Sequence, residues 1–193
     1  MRLGIVLISL LAVAAVSQDL IADVRAAIAQ KDFTLGESLI QRYKAGQGVT
    51  PEMIEAWSWL GRGALAAGQP DRADGYAERT RKLALEQLTH RKLDAEPHLP
   101  LALGASIEVQ AQAMAGRGER GEAVVFLRRE LKTYWMTSIR ARIQKNINLL
   151  SLEGKPAPAL EVRGWVGPKP VPLVRLRGKP LILFFWAHWC SDC

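Results

Sequence analysis

Apolar residues return at intervals of three and four between about residues 19 and 153, set among Ala, Leu, Arg, Glu and Gln. That is the period of helices with one buried face. The clearest run opens with Thr50-Pro51-Glu52: a hydroxyl for the N-cap, a proline at the first helical position and an acid in the first turn. Met53, Trp57, Leu60 and Ala64 then mark one face, and Gly68 supplies a left-handed stop. Pro70-Asp71 reopens a helix that is expected to reach about Leu93, and so short a turn makes the two helices antiparallel. The plan recurs, because Ala64 to Ala73 aligns with Met114 to Ala123: a helix end, a glycine turn and a small residue where the next helix packs closely. A weaker copy lies at Ala29 to Gly36. The pattern predicts three irregular hairpins over 19–46, 50–93 and 101–134 and a closing helix over 138–152, with Glu96-Pro97-His98-Leu99-Pro100 as a loop. Trp57, Trp59 and Trp135 are read as core.

Repeated helix pairs imply a short solenoid in which each hairpin covers the next. Trp57-x2-Leu60-Gly61-x2-Ala64, followed by Ala73, Ala77 and Thr80, resembles the tetratricopeptide repeat. It departs from that pattern where alanine replaces an aromatic and where the final proline is missing. A stack of this kind presents a groove that holds a peptide or protein partner, or serves only as a spacer.

At Gly154 the pattern changes. Six of the ten prolines lie at Pro156, Pro158, Pro168, Pro170, Pro172 and Pro180, which rules out continuous helix. Leu160 to Val166 alternates as a strand before a Gly167-Pro168 turn, and Val171 to Val174 suits a short edge strand. Gly178-Lys179-Pro180 introduces the uncharged run Leu181 to Ala187, which fits a strand buried on both faces. The expected organisation is therefore a leader over 1–17, a helical domain over 18–153 and a second domain over 154–193.

The leader rests on Arg2, the apolar run from Leu3 and the small residues near Ala15-Val16-Ser17, a secretory signal pattern. The run is shorter than the roughly 20 residues of a spanning helix, so the expected location is periplasmic or extracellular, with a membrane tether if the signal is not cleaved. Composition adds two exclusions. At 49% hydrophobic residues the chain has enough apolar content for a core, which excludes wholesale disorder. The 26 basic and 19 acidic residues alternate, as in Glu78-Arg79-Thr80-Arg81-Lys82, so no nucleic-acid footprint is expected.

The two cysteines, Cys190 and Cys193, are too close in sequence to staple a fold, so their chemistry is local. They follow the apolar run as His188-Trp189-Cys190-Ser191-Asp192-Cys193. A central strand delivers the chain to its C-terminal end, where reactive groups collect in α/β sheets. At the start of a following helix Cys190 would feel a positive dipole, which favours the thiolate. Cys190 then attacks a disulfide and Cys193 resolves the mixed disulfide. The run G-K-P-L-I-L-F-F-W-A-H-W-C-S-D-C, with Gly154-Lys155-Pro156-Ala157-Pro158-Ala159-Leu160 before it, resembles the thioredoxin superfamily and especially its exported TlpA/ResA-like thiol-disulfide oxidoreductases. The resemblance implies that Cys190 is the nucleophile and Cys193 the resolving thiol. It also implies that Trp189 shields the sulfur and that Ser191 and Asp192 tune its potential, with His188 at the flank. The family's fold continues with a helix, further strands and a cis-proline loop, so the segment is read as a C-terminally truncated domain. The expected fold class is mainly α: tetratricopeptide-like hairpins followed by the first part of a thioredoxin-like α/β domain.

The expected activity is thiol-disulfide exchange on protein disulfides in the cell envelope, with no cofactor and no metal, and the resemblance implies a membrane-embedded thiol reductase as electron donor. Two alternatives stand beside it: a helical interaction module with an inert thioredoxin-like end, and a peroxiredoxin-like antioxidant protein. A zinc site would need a fourth ligand beyond His188, Cys190 and Cys193. Covalent haem attachment would need a histidine directly after the second cysteine.

Overall fold

A computed structural model of the chain describes residues 19–156, 163–184 and 186–189. The chain divides into two compact units, Met1–Glu153 and Gly154–Cys193. Helix is the dominant secondary structure, and no strand occurs among the described residues.

The first unit contains α1 (Leu20–Ala29), α2 (Phe33–Gln47), α3 (Pro51–Ala66), α4 (Pro70–Leu88), α5 (His98–Gly116), α6 (Arg120–Thr133) and α7 (Arg140–Ser151). The starts of α1, α2 and α3 follow from local chemistry. Asp19, Asp32 and Thr50 accept hydrogen bonds from Ala22 N (3.1 Å), Leu35 N (2.8 Å) and Met53 N (3.2 Å), satisfying amides that have no partner inside the helix. The hairpin turns share one geometry. Gln69 N and Glu119 N donate back to Ala64 O and Met114 O, both at 3.0 Å, across Gly68 (φ 71°) and Gly118 (φ 91°). In the first hairpin Asp32 N donates to Ala27 O at 2.9 Å across Lys31 (φ 60°), a left-handed residue with a side chain. This substitution explains why the first copy of the turn is the faintest in sequence.

Past each turn a small residue faces the preceding helix. Ala73 and Ala123 are fully buried, and Gly36 is buried in the matching place. A β-carbon at Gly36 would stand 2.8 Å from Leu60 Cδ2, so only glycine lets α2 approach α3 this closely. Gly61 sits where α3, α4 and α5 meet, but a β-carbon there would make only ordinary contacts, at 3.6 Å from Ala73 O, Tyr76 Cβ and Val109 Cγ1. The opening helices of successive hairpins also pack on each other, α1 on α3 and α3 on α5, with α7 closing against α5 and α6. Trp57, Met53, Leu60, Leu103, Ile107 and Leu127 fill the continuous core.

Three details depart from expectation in this unit. Helix α4 stops at Leu88 rather than Leu93, and a 3-10 turn occupies Leu93–Ala95. Helix α5 begins at His98, inside the segment read as a loop. Glu96 accepts from both His98 N and Leu99 N at 2.9 Å, and Pro100 falls in the first turn, where a missing N–H costs nothing. Trp135, read as core, lies beyond the end of α6 and is 47% exposed, with the Arg140 guanidinium 3.6 Å from its ring centroid.

The second unit departs further. The expected strands over 171–174 and 181–187 are not formed among the described residues, nor is the part of the 160–166 strand that they include. Leu173–Leu176 is a 3-10 turn. Ile182 is 91% exposed and Phe184 74%, the reverse of burial on both faces. A strand exists only through hydrogen bonds to a neighbouring strand, and the described residues include none to pair with this run.

Helix packing this close makes the glycines separable by experiment. A β-carbon at Gly63 would stand 2.5 Å from Ile28 Cγ2 and 3.3 Å from Phe33 Cε1, whereas one at Gly75 would meet nothing within 4 Å. Gly63→Ala should therefore cost about 1–3 kcal/mol through overpacking, while Gly75→Ala, inside α4, should add up to about 1 kcal/mol. Chemical denaturation followed by circular dichroism checks both signs.

Candidate functional site

The residues predicted to carry redox chemistry divide at the edge of the described chain. Cys190, Ser191, Asp192 and Cys193 lie outside the described residues, as do residues 1–17 of the expected leader. His188 and Trp189 are described and exposed, Trp189 at 78%, and they form a turn after an irregular segment. The structure thus gives no geometry for the cysteine pair. It does show a run of apolar side chains leading to it, with Leu181, Ile182, Phe184 and Trp186 open to solvent.

A second cluster, which sequence reasoning missed, is built by the opening helices of the hairpins together with the closing helix α7. Glu55, Trp59 and Arg62 are spaced by four and three residues on α3, so they share one face. Glu108 and Gln112 do so on α5, as do Arg142, Lys145 and Asn146 on α7. Arg25 joins from α1, with its guanidinium carbon 4.5 Å from the centroid of the Trp59 ring, and that of Arg62 lies 4.2 Å from the same ring.

The acids in this cluster are fully engaged. Glu55 is 5% exposed, and its two carboxylate oxygens accept from Trp59 Nε1 (3.3 Å) and His98 Nδ1 (2.8 Å). Without those donors its burial would be costly. Glu108 accepts from Arg142 Nε at 2.5 Å and from Gln112 at 3.4 Å, with Lys145 Nζ at 3.5 Å. Burial works against the charge of Glu108, but the hydrogen bond and charge of Arg142, with Lys145 beside it, outweigh that and hold its carboxyl below the ordinary value. Gln112 Nε2 also donates to Asn146 Oδ1 at 3.0 Å, and Asn146 Nδ2 to the Arg142 carbonyl at 3.0 Å, which ties α5 to α7.

Arg62 is different. Burial, with the repulsion of Arg142 and Arg25 added, lowers its pKa to about 10, against the opposing pull of Glu108 and Glu55. Among the described residues it makes no ion pair, and its one hydrogen bond is a long one, 3.4 Å, from Nη2 to the Leu101 carbonyl. Its Nε is buried with no partner among the described residues.

Polar braces also join the second helices of the hairpins, and in these each cation has an acidic partner, although Arg81 Nη1 is buried without a hydrogen bond among the described residues. Tyr76 Oη donates to Glu37 and accepts from Arg72 Nε at 3.0 Å. Burial first, then the hydrogen bond to Glu37, pushes the Tyr76 hydroxyl up to about 12. Arg81 Nη2 donates to the buried Glu130 at 2.8 Å between α4 and α6. Such pairs hold neighbouring hairpins in register.

No family model, curated protein or solved structure matches the chain. Among the described residues no three His, Cys, Asp or Glu side chains gather as a metal-ligand set, and no helix is long and apolar enough to cross a membrane.

The Glu108 pairing has a readable pH signature. A carboxyl held below its ordinary value contributes stability that is complete above that value, about 4.5 here, and is lost as pH falls through the lowered one. Glu108→Gln should cost about 1–2 kcal/mol at pH 7, and the gap to the parent should close in strong acid. Urea unfolding of both proteins between pH 7 and pH 3 measures this, and a gap that stays constant to pH 3 would remove the ion pair as its cause.

Proposed function

We propose that the chain acts in a thiol-disulfide oxidoreductase of the cell envelope, with a tetratricopeptide-like helical unit preceding a thioredoxin-like unit that carries Cys190 and Cys193. The observation that carries this reading is the sequence Trp186-Ala187-His188-Trp189-Cys190-Ser191-Asp192-Cys193, which holds both cysteines of the chain and follows an apolar run. The division between Glu153 and Gly154 supports it, because the motif belongs to a unit distinct from the helical one. The shared turn geometry of the three hairpins supports the tetratricopeptide-like half.

The chemistry balances within the pair. The Cys190 thiolate attacks one sulfur of a substrate disulfide, expelling the other as a thiolate and forming a mixed disulfide. Cys193, deprotonated, attacks the Cys190 sulfur and releases the substrate's second thiolate. The substrate gains two electrons, and the pair is left as a disulfide. A dithiol donor, here a membrane-embedded reductase, restores it. Substrates are protein disulfides, and the helical unit offers a surface on which a protein partner is held.

A second reading, an interaction module with a redox-silent end, draws on the exposure of Leu181, Ile182, Phe184 and Trp186, which lack the covering layer of a thioredoxin-like strand. One experiment separates the two. The dithiol-reduced protein is mixed with a disulfide-bonded protein substrate, and free substrate thiols are counted. The oxidoreductase reading expects Cys190→Ser to abolish reduction and Cys193→Ser to accumulate the mixed disulfide, seen as a covalent adduct on a non-reducing gel. Equal rates for the parent and Cys190→Ser would leave the interaction reading.

A further inference from the structure

We infer that Arg62, with Arg25 and Arg142 around it, forms an oxyanion-binding site on the face built by the opening helices, for a ligand that carries a carboxylate or phosphate group. The site uses no cysteine chemistry and stands or falls apart from the redox reading.

Arg25 and Arg62 share the ring of Trp59, and Arg142 on α7 is close enough to repel Arg62, while the protein supplies too little negative charge nearby to balance the three. Glu108 is committed to Arg142 and Lys145, and Glu55 to His98 and Trp59. Arg62 and Arg25 have no acidic partner within ion-pair distance among the described residues. A partly buried cation without a counter-charge destabilises the fold, and methionine in its place would be neutral or better for stability alone. Burial first, and then repulsion from Arg142 and Arg25, lowers the pKa of Arg62, yet at about 10 it leaves the group charged at neutral pH. Nε is sealed from solvent, while Nη1 has no partner among the described residues and is not one of the sealed atoms, so a ligand approaches through the terminal nitrogens.

The chemistry of the surroundings selects the ligand class. A guanidinium fork binds a planar or tetrahedral oxyanion through two parallel N–H···O bonds, each stronger than a neutral hydrogen bond. Trp59 pins the Arg25 and Arg62 heads by cation–π contact, so little side-chain entropy is lost on binding. The Leu101 carbonyl takes only a long bond, 3.4 Å, from Arg62 Nη2, which leaves the rest of the fork free for a ligand. The other cationic cluster, Arg72 with Tyr76 and Glu37, already holds its acid and has no such vacancy in its charge balance.

The test uses the full chain and two probes, a hexaglutamate peptide and inorganic tripolyphosphate, each compared with sodium chloride at equal ionic strength. At ten times its dissociation constant a bound probe should raise Tm by about 3–5 °C. Arg62→Met should abolish that shift while matching or exceeding the parent's Tm without probe, and Arg79→Met, which lies over Trp57, should keep the shift. A response to hexaglutamate alone identifies a peptide carboxylate, and a response to tripolyphosphate alone identifies a phosphate; either supports the site. No shift beyond chloride with either probe, or a full shift retained by Arg62→Met, overturns it. Should Arg62→Met fail to fold, Arg25→Met decides the matter: a dissociation constant raised several-fold supports the site, and an unchanged one rejects it.

Discussion

Everything in the helical unit depends on how closely its helices approach at the small residues past each turn. Gly36, Ala73 and Ala123 are the places where a second helix enters against its predecessor, and Gly36 has no room for even one more carbon beside Leu60. Close approach there allows Trp57, Leu60 and Ile107 to be covered from several directions. It also sets the stacking of α1, α3, α5 and α7, because each hairpin is a rigid pair and its tilt is determined at its turn. Interiors are packed densely enough that this is a near-binary condition: a β-carbon either fits or displaces a helix.

That stacking creates the charged face as a by-product. A helix in this arrangement must bury one stripe and leave another open, and the open stripes of the opening helices fall side by side. Charges that are ordinary on a single helix then come within reach of one another. Where acid meets base, as at Glu108 and Arg142 or Glu130 and Arg81, the pair adds a cross-helix tie. Where the count is uneven, as around Arg62, repulsion from Arg142 and Arg25 is only partly offset by Glu108 and Glu55. The same geometry that holds the hairpins therefore concentrates their unused binding capacity at one place.

How much of this is legible in the sequence depends on the range of the interaction. The Thr50-Pro51 cap, the Gly68 and Gly118 turns and the face of Met53, Trp57, Leu60 and Ala64 are local, and each can be read from neighbouring residues. The start of α5 is harder, because its two prolines suggest a loop, when their positions in and before the first turn suit a helix capped from outside by Glu96. Trp135 misleads for a similar reason: an aromatic near a helix end looks like core until the turn beyond it is known. The Arg62 cluster leaves one trace, the spacing of Glu55, Trp59 and Arg62; Arg25 and Arg142 sit on other helices, and no linear pattern connects them. The cysteine motif is readable through residue type and order alone, and both cysteines lie outside the described residues.

The two units differ in what they need in order to be folded. A helix closes its hydrogen bonds within a few residues, so the hairpins reach a packed state from local signals plus small residues at the crossings. The run Leu181 to Trp189 has β-type composition, and strands obtain both hydrogen bonds and burial only from other strands and a covering layer. With Ile182, Phe184 and Trp186 in solvent, the apolar residues that would position Cys190 are unsupported, and an exposed stretch of this kind favours association. Thiolate stabilisation in a cysteine pair comes from a nearby dipole or positive charge held in place. If Cys190 reacts as proposed, its reactivity would depend less on the two residues between the cysteines than on whether the preceding run is paired and covered, because only a fixed strand end can hold a sulfur where such a field acts.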